Sequence, residues 1–130
     1  MPTQAEMKAA VQAYVDRFNA GDADGIMDLF ADNCTIEDPV GSPPKSRADW
    51  DKFIRQGVKF GASLVVVAPI RGSHANFAGM VFTVTFVQGG KRITTNSADI
   101  MEFDETGKIA RMRGFWGPED VTIEGSKPAA

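Results

Sequence analysis

The chain has a single cysteine (Cys34), a single histidine (His74) and a single tyrosine (Tyr14). One cysteine cannot close an internal disulfide, which fits a reducing, cytoplasmic setting. One histidine excludes metal sites built from His and Cys clusters and leaves a Ser-His-Asp triad only His74 to draw on. Gly57, Gly61, Gly89 and Gly90 have neither the spacing nor the Lys-Ser/Thr that cradles phosphate, so no nucleotide loop is read. No apolar run approaches the roughly 20 residues that span a bilayer. The start, "MPTQAEMKAA", lacks the basic and apolar regions of a signal peptide. A formal net charge of −3 argues against nucleic acid as a partner and against a basic membrane-binding face. Lys45 and Arg47 are read as a solvated turn. Neither metal nor cofactor is expected, and chemistry is left to carboxylates, a phenol, hydroxyls and the backbone.

What is present describes one ordinary globular domain. The chain has 130 residues, 43% hydrophobic and 24% charged, enough for a real core. We read residues 1–123 as a single domain and 124–130 as a disordered tail. "TQAE" is a capping box, with Thr3 as N-cap and Glu6 three residues later. Met7, Val11, Tyr14, Val15 and Phe18 then form one helical stripe, ended by Gly21. Asp22 or Asp24 caps a short second helix burying Ile26, Leu29 and Phe30. "CTIEDP" reads as a strand stopped by Pro39. Ser46 caps a third helix with Trp50, Phe53, Ile54 and Val58 inward. Four β-rich runs follow, "SLVVVAPI", "NFAGMVFTVTFV", "RITTNSADIMEF" and "IARMRGFW", with glycine turns between the later ones. Helices first and a meander afterwards predict an α+β fold, three N-terminal helices packed on a curved, mainly antiparallel sheet.

Strand alternation orients the polar residues. In "CTIED", Cys34, Ile36 and Asp38 share the inward face, leaving Glu37 on the solvent side. In "ITTNSADIMEF", Asp99 is in phase with Ile93, Thr95, Ser97, Met101 and Phe103, although Ile100 on the other face blurs the contrast. A tyrosine in a helix stripe is most often core. Two inward aspartates and the chain's one tyrosine, aimed at the same helix–sheet space, point further. A buried carboxylate without a partner is costly, and such a group either stays neutral or is retained for function.

These residues carry a resemblance. "YVDRFNAGDADGIMDLFADNCTIEDPVGSPP", "FTVTF", the strand with Asp99 and "GKIARMRGFWG" resemble bacterial Δ5-3-ketosteroid isomerases over about residues 5 to 117. Those enzymes lie within the cone-shaped nuclear transport factor 2-like, or SnoaL-like, superfamily, of which "NAGD…LFAD" is the generic part. The resemblance implies cofactor-free transfer of a double bond into conjugation with a steroid ketone. Asp38 would be the general base, and Tyr14 with a protonated Asp99 would form the oxyanion hole; this family is itself the reference example of a carboxylic acid held neutral to donate a hydrogen bond. It also implies a homodimer. Phe82, Phe86, Met112, Phe115 and Trp116 are candidate apolar walls for a steroid. Phe30 and Ile54 stand where some members carry further tyrosines, so no tyrosine network supports Tyr14.

Other readings share the cone. Limonene-epoxide-hydrolase-like proteins join two aspartates through an arginine, where this chain has Ser97. Scytalone-dehydratase-like proteins use pocket histidines, which a lone His74 does not match. A polyketide-cyclase-like enzyme acting on another enolisable ketone, and a non-catalytic ligand-binding or dimerisation module, remain as alternatives.

Overall fold

The structure, a computed structural model, describes residues 1–124. Helix α1 (Gln4–Asn19) starts at the expected capping box. The Glu6 N–H donates to Thr3 Oγ1 at 3.1 Å, and the Thr3 N–H donates to Glu6 Oε1 at 2.9 Å. Gly21 closes it with φ +69°, a conformation that glycine adopts without steric cost. Helix α2 (Ala23–Met27) is capped by Asp22, and α3 (Arg47–Lys59) by Ser46.

Five strands form a curved sheet in the order β1-β5-β4-β3-β2, with a sixth strand on β4. They are β1 (Phe30–Glu37), β2 (Ser63–Val66), β3 (Phe77–Gln88), β4 (Lys91–Phe103), β5 (Ile109–Phe115) and β6 (Val121–Ile123). All pairs are antiparallel except β1 with β5. Gly89 and Gly90, at φ +59° and +74°, make the two-residue turn between β3 and β4. Among the described residues no helix is long and apolar enough to cross a membrane.

The structure departs from the sequence reading at five places. Phe30, assigned to α2, opens β1 instead. Its spacing from Ile26 suits a helix, but the Leu29 carbonyl accepts the Ile109 N–H at 2.8 Å and draws the segment onto β5. Phe53, expected inward, is 48% exposed and stacks on buried Trp50 with ring centroids 5.3 Å apart. β2 ends at Val66, short of Pro69. β6 was not anticipated; it pairs with Ile93–Thr95, a stretch of β4 that β5 does not reach. Glu124, assigned to the tail, donates its N–H to the Arg92 carbonyl; the rest of that segment, 125–130, lies outside the described residues.

The core sits between the helices and the concave face of the sheet. Met7, Val11 and Val15 of α1 meet Ile36, Met101, Phe103, Ile109 and Met112, all buried. The phase of β4 follows the alternation: Thr95, Ser97, Asp99, Met101 and Phe103 are buried, and Ile100 is exposed on the outer face.

Candidate active site

The helices do not cover the whole concave face. Between α3 and strands β3 and β4 lies a cavity of about 400 Å³, within the range of small-molecule sites. Its walls are mostly apolar: Trp50, Ile54 and Phe60 on one side, Phe82, Val84 and Phe86 on the other. Tyr14, Asp38, Asp99 and Trp116 also line it.

Each polar group arrives from a different element. Tyr14 belongs to the α1 stripe, only 3% exposed, with its ring against Phe18 and edge-on to Phe30. Asp99 is 3% exposed in the middle of β4. Asp38 follows β1 directly, in a loop fastened on both sides. Ile36 and Lys45 exchange backbone hydrogen bonds across its neck, and the Val40 N–H donates to the Gly114 carbonyl of β5. The Asp38–Pro39 peptide is cis.

Gly114 makes the meeting possible. It pairs with Asp99 across β4 and β5, and the space a side chain would fill there is taken by carboxylate. A Cβ on Gly114 would sit 2.6 Å from Asp38 Oδ1 and 3.2 Å from Asp99 Oδ1, so these two oxygens lie within about 6 Å of each other. Two carboxylates this close, out of water, do not both ionise readily.

Their surroundings differ. Asp38 accepts a hydrogen bond from Trp116 Nε1 at 2.9 Å. Lys45 Nζ donates to the Asp38 backbone carbonyl at 3.1 Å and lies over the Phe53 ring. Burial raises the Asp38 pKa, and the Trp116 bond and the Lys45 charge pull it back down. Asp99 has no such relief: burial, then the charge of Asp38, pushes its carboxyl well above the usual range. Burial, followed by the charges of Asp99 and Asp38, also holds Tyr14 well above the usual phenol value. Of the two carboxylates, Asp38 is the one whose surroundings oppose ionisation less.

Glu37, the neighbouring carboxylate, is on the other face. It accepts from Arg111 Nη2 at 3.0 Å and Arg113 Nε at 3.3 Å, and the Arg111 bond chiefly lowers its pKa.

Of the expected apolar walls, Phe82, Phe86 and Trp116 line the cavity, and Met112 and Phe115 do not. Met112 does point inward, but it pairs with Met101, two positions beyond the Asp99–Gly114 pair, and is sealed in the core beneath the cavity floor. Phe115 faces outward and is 46% exposed. Sequence reasoning gave Trp116 only an apolar role, passed over Gly114, and read Lys45 and Arg47 as a solvated turn, whereas Lys45 bonds the Asp38 carbonyl and half-buried Arg47 donates to the Met27 carbonyl. The signal for Gly114 was available: a glycine in phase with an inward methionine on a strand marks a close approach.

The SnoaL-like domain family matches residues 11–112, and the chain belongs to that family. It is 37% identical to a steroid Δ-isomerase of Nocardioides simplex over 122 residues, covering 92% of this chain and 96% of that one. It is 27% identical to the epoxide hydrolase LasB of Streptomyces lasalocidi over 92% of this chain, a match that spans only 44% of that longer protein. Among solved structures, the epoxide hydrolase/cyclase-like enzyme SalBIII, described for its role in forming the pyran ring of the polyether salinomycin, superposes with a TM-score of 0.88 at 26% identity. That match covers 95% of this chain and 99% of SalBIII. The fold therefore hosts isomerases and epoxide hydrolase/cyclase-like enzymes alike, and the choice between them rests on the site.

Proposed function

We propose that this protein isomerises 3-oxo-Δ5-steroids to their conjugated 3-oxo-Δ4 forms without a cofactor. The observation that carries the reading is the confluence of Tyr14, Asp38 and Asp99 at one end of an apolar cavity, in surroundings that hold Asp99 and Tyr14 neutral and raise Asp38 less, because Trp116 and Lys45 offset part of its burial. Likeness to a steroid Δ-isomerase over nearly the full length of both chains supports it.

Carbon–hydrogen bonds beside a ketone become acidic only if the charge arriving on oxygen is stabilised. Asp38 takes the proton from C4, and the electron pair moves through the enol carbons onto the C3 oxygen. Tyr14 and protonated Asp99 each donate a hydrogen bond to that oxyanion. The dienolate then collapses as Asp38 returns the proton at C6, so no proton or electron is gained or lost overall. A positioned base typically contributes about 10²–10⁴-fold, and an oxyanion donor about 10²–10³-fold. The water-poor cavity strengthens both, because charges there are weakly screened.

Opening an epoxide is the alternative that LasB and SalBIII suggest. The arginine that joins the aspartates in limonene-epoxide-hydrolase-like proteins has no counterpart, because Ser97 stands at its position and, among the described residues, no arginine pairs with Asp38 or Asp99. A polyketide-cyclase-like reaction would use the same base. The apolar outer face of the sheet, where Val65, Val81, Ile100 and Phe115 are exposed, supports a homodimer through that face.

The test is to mix purified protein with a 3-oxo-Δ5-steroid and follow the ultraviolet absorbance of the conjugated enone, with Asp38→Asn alongside. Rapid conjugation in wild type, lost in the variant, is the expected result. A folded wild-type protein that produces no enone would sink the proposal.

A further inference from the structure

We infer that Thr95 is a second polar anchor in the cavity, selecting ligands that carry a hydroxyl or carbonyl at the end of the skeleton opposite the reacting ketone. The inference rests on the steroid reading of the site. Its basis is a hydroxyl facing the cavity that the proposed chemistry does not use. Thr95 is on β4, on the same inward face as Asp99, and lines the cavity while only 9% exposed. Among the described residues its hydroxyl finds no hydrogen-bond partner. Ser97, between the two, is already engaged, because its Oγ donates to the Phe115 carbonyl at 3.4 Å.

The Thr95 hydroxyl opens on the cavity, so a ligand that fills the space takes water away from it and leaves it unpaired unless the ligand supplies a bond. The other residues facing the cavity beside it, Val84 across the strand pair and Val121 on β6, offer no side-chain partner. The missing partner is therefore expected from the ligand. Four residues along a strand separate Thr95 from Asp99, about 14 Å at the usual rise. A ketone held at Asp99 and a fused tetracyclic skeleton lying along β4 put the far ring next to Thr95. A hydroxyl or carbonyl on that ring can bond the Thr95 Oγ1; a bare hydrocarbon ring leaves it unpaired. Recognition by a hydrogen bond that the wrong ligand cannot make discriminates more sharply than an apolar wall does.

The test compares binding, not turnover, of two product-like enones that differ in one group, androst-4-en-3-one and its 17β-hydroxy derivative, read by quenching of tryptophan fluorescence. Variants Thr95→Val and Thr95→Ser run beside wild type; valine keeps the branched shape that suits a strand. The hydroxylated steroid should bind wild type about 3–10-fold more tightly than the bare one, the ordinary range for one net hydrogen bond. Thr95→Val should remove that preference without weakening binding of the bare steroid, and Thr95→Ser should keep it. Equal weakening of both ligands by Thr95→Val, or an unchanged preference, would overturn the inference and leave the steroid site standing. Failure of wild type to bind either steroid would overturn both.

Discussion

Gly114 and Asp38 occupy what is sterically one position: a methyl group on the glycine would stand 2.6 Å from the Asp38 carboxylate oxygen. The proposed base thus owes its placement to a missing side chain on a neighbouring strand. A single methyl meets only the tip of the Asp38 side chain, which can rotate away, so Gly114→Ala should cost less than about 10-fold in kcat. Valine leaves the carboxylate nowhere to go within the cavity, and a displacement approaching 1 Å costs about 10²-fold. Gly114→Val should therefore lose about two orders of magnitude in kcat. Enone formation, with thermal melting as the control for folding, checks this. Full activity in Gly114→Val would show that the carboxylate position does not matter.

The pH profile follows from what surrounds the two aspartates. The proposed mechanism requires Asp38 ionised and Asp99 protonated, so kcat/KM should be bell-shaped. The acid limb lies above the ordinary aspartate value because burial raises Asp38, and the Trp116 hydrogen bond and the Lys45 charge limit that rise. Removing either restraint moves the limb toward higher pH. Trp116→Phe and Lys45→Met should each do so, with Trp116→Phe also losing several-fold in kcat as the carboxylate gains freedom. A limb that stays put in both variants would mean that another group titrates there.

Much of this site was legible in the strand phase, which oriented Asp38 and Asp99 and separated Glu37 from both. What was not legible is what lies across strands. The 2.9 Å bond from Trp116 to Asp38 joins residues 78 apart in sequence, and alternation on one strand says nothing about which residue of another is its neighbour. Met112 shows the same limit from the other side. Its inward phase was right, but depth along the strand pair, not phase, separates a cavity wall from the core beneath it. Phe30 was misassigned because apolar residues spaced three or four apart in a five-residue stretch suit a helix end as well as a strand start.

Asp99 should also be measurable as a stability cost. Its pKa is raised in the fold, so above about pH 4 the native state keeps a proton that the unfolded chain has released. Unfolding then releases that proton, and stability falls as pH climbs through this window until the folded carboxyl itself ionises. Asp99→Asn removes the penalty and keeps a hydrogen-bond donor. The variant should match wild type in Tm near pH 4 and exceed it by about 3–5 °C near pH 8. Its rate should be about 10-fold lower or worse, and the alkaline limb of the profile should vanish because asparagine does not titrate. Equal melting curves at both pH values would mean that Asp99 is not held neutral.

The outer face of the sheet gives the last prediction. Val65, Val81, Ile100 and Phe115 come from four adjacent strands and are 64%, 52%, 39% and 46% exposed. Contiguous apolar exposure of this kind marks an interface more often than free surface, and closed two-fold pairing is the commonest solution for identical chains. Sedimentation equilibrium should find a dimer. Ile100→Lys puts two unpaired charges into a symmetric contact and should convert it to monomer. Ile100 points away from the cavity, so enone formation per chain should fall only as far as the dimer supports the fold. A wild-type monomer, or a dimer indifferent to Ile100→Lys, would place any self-association elsewhere and leave the outer face without a partner.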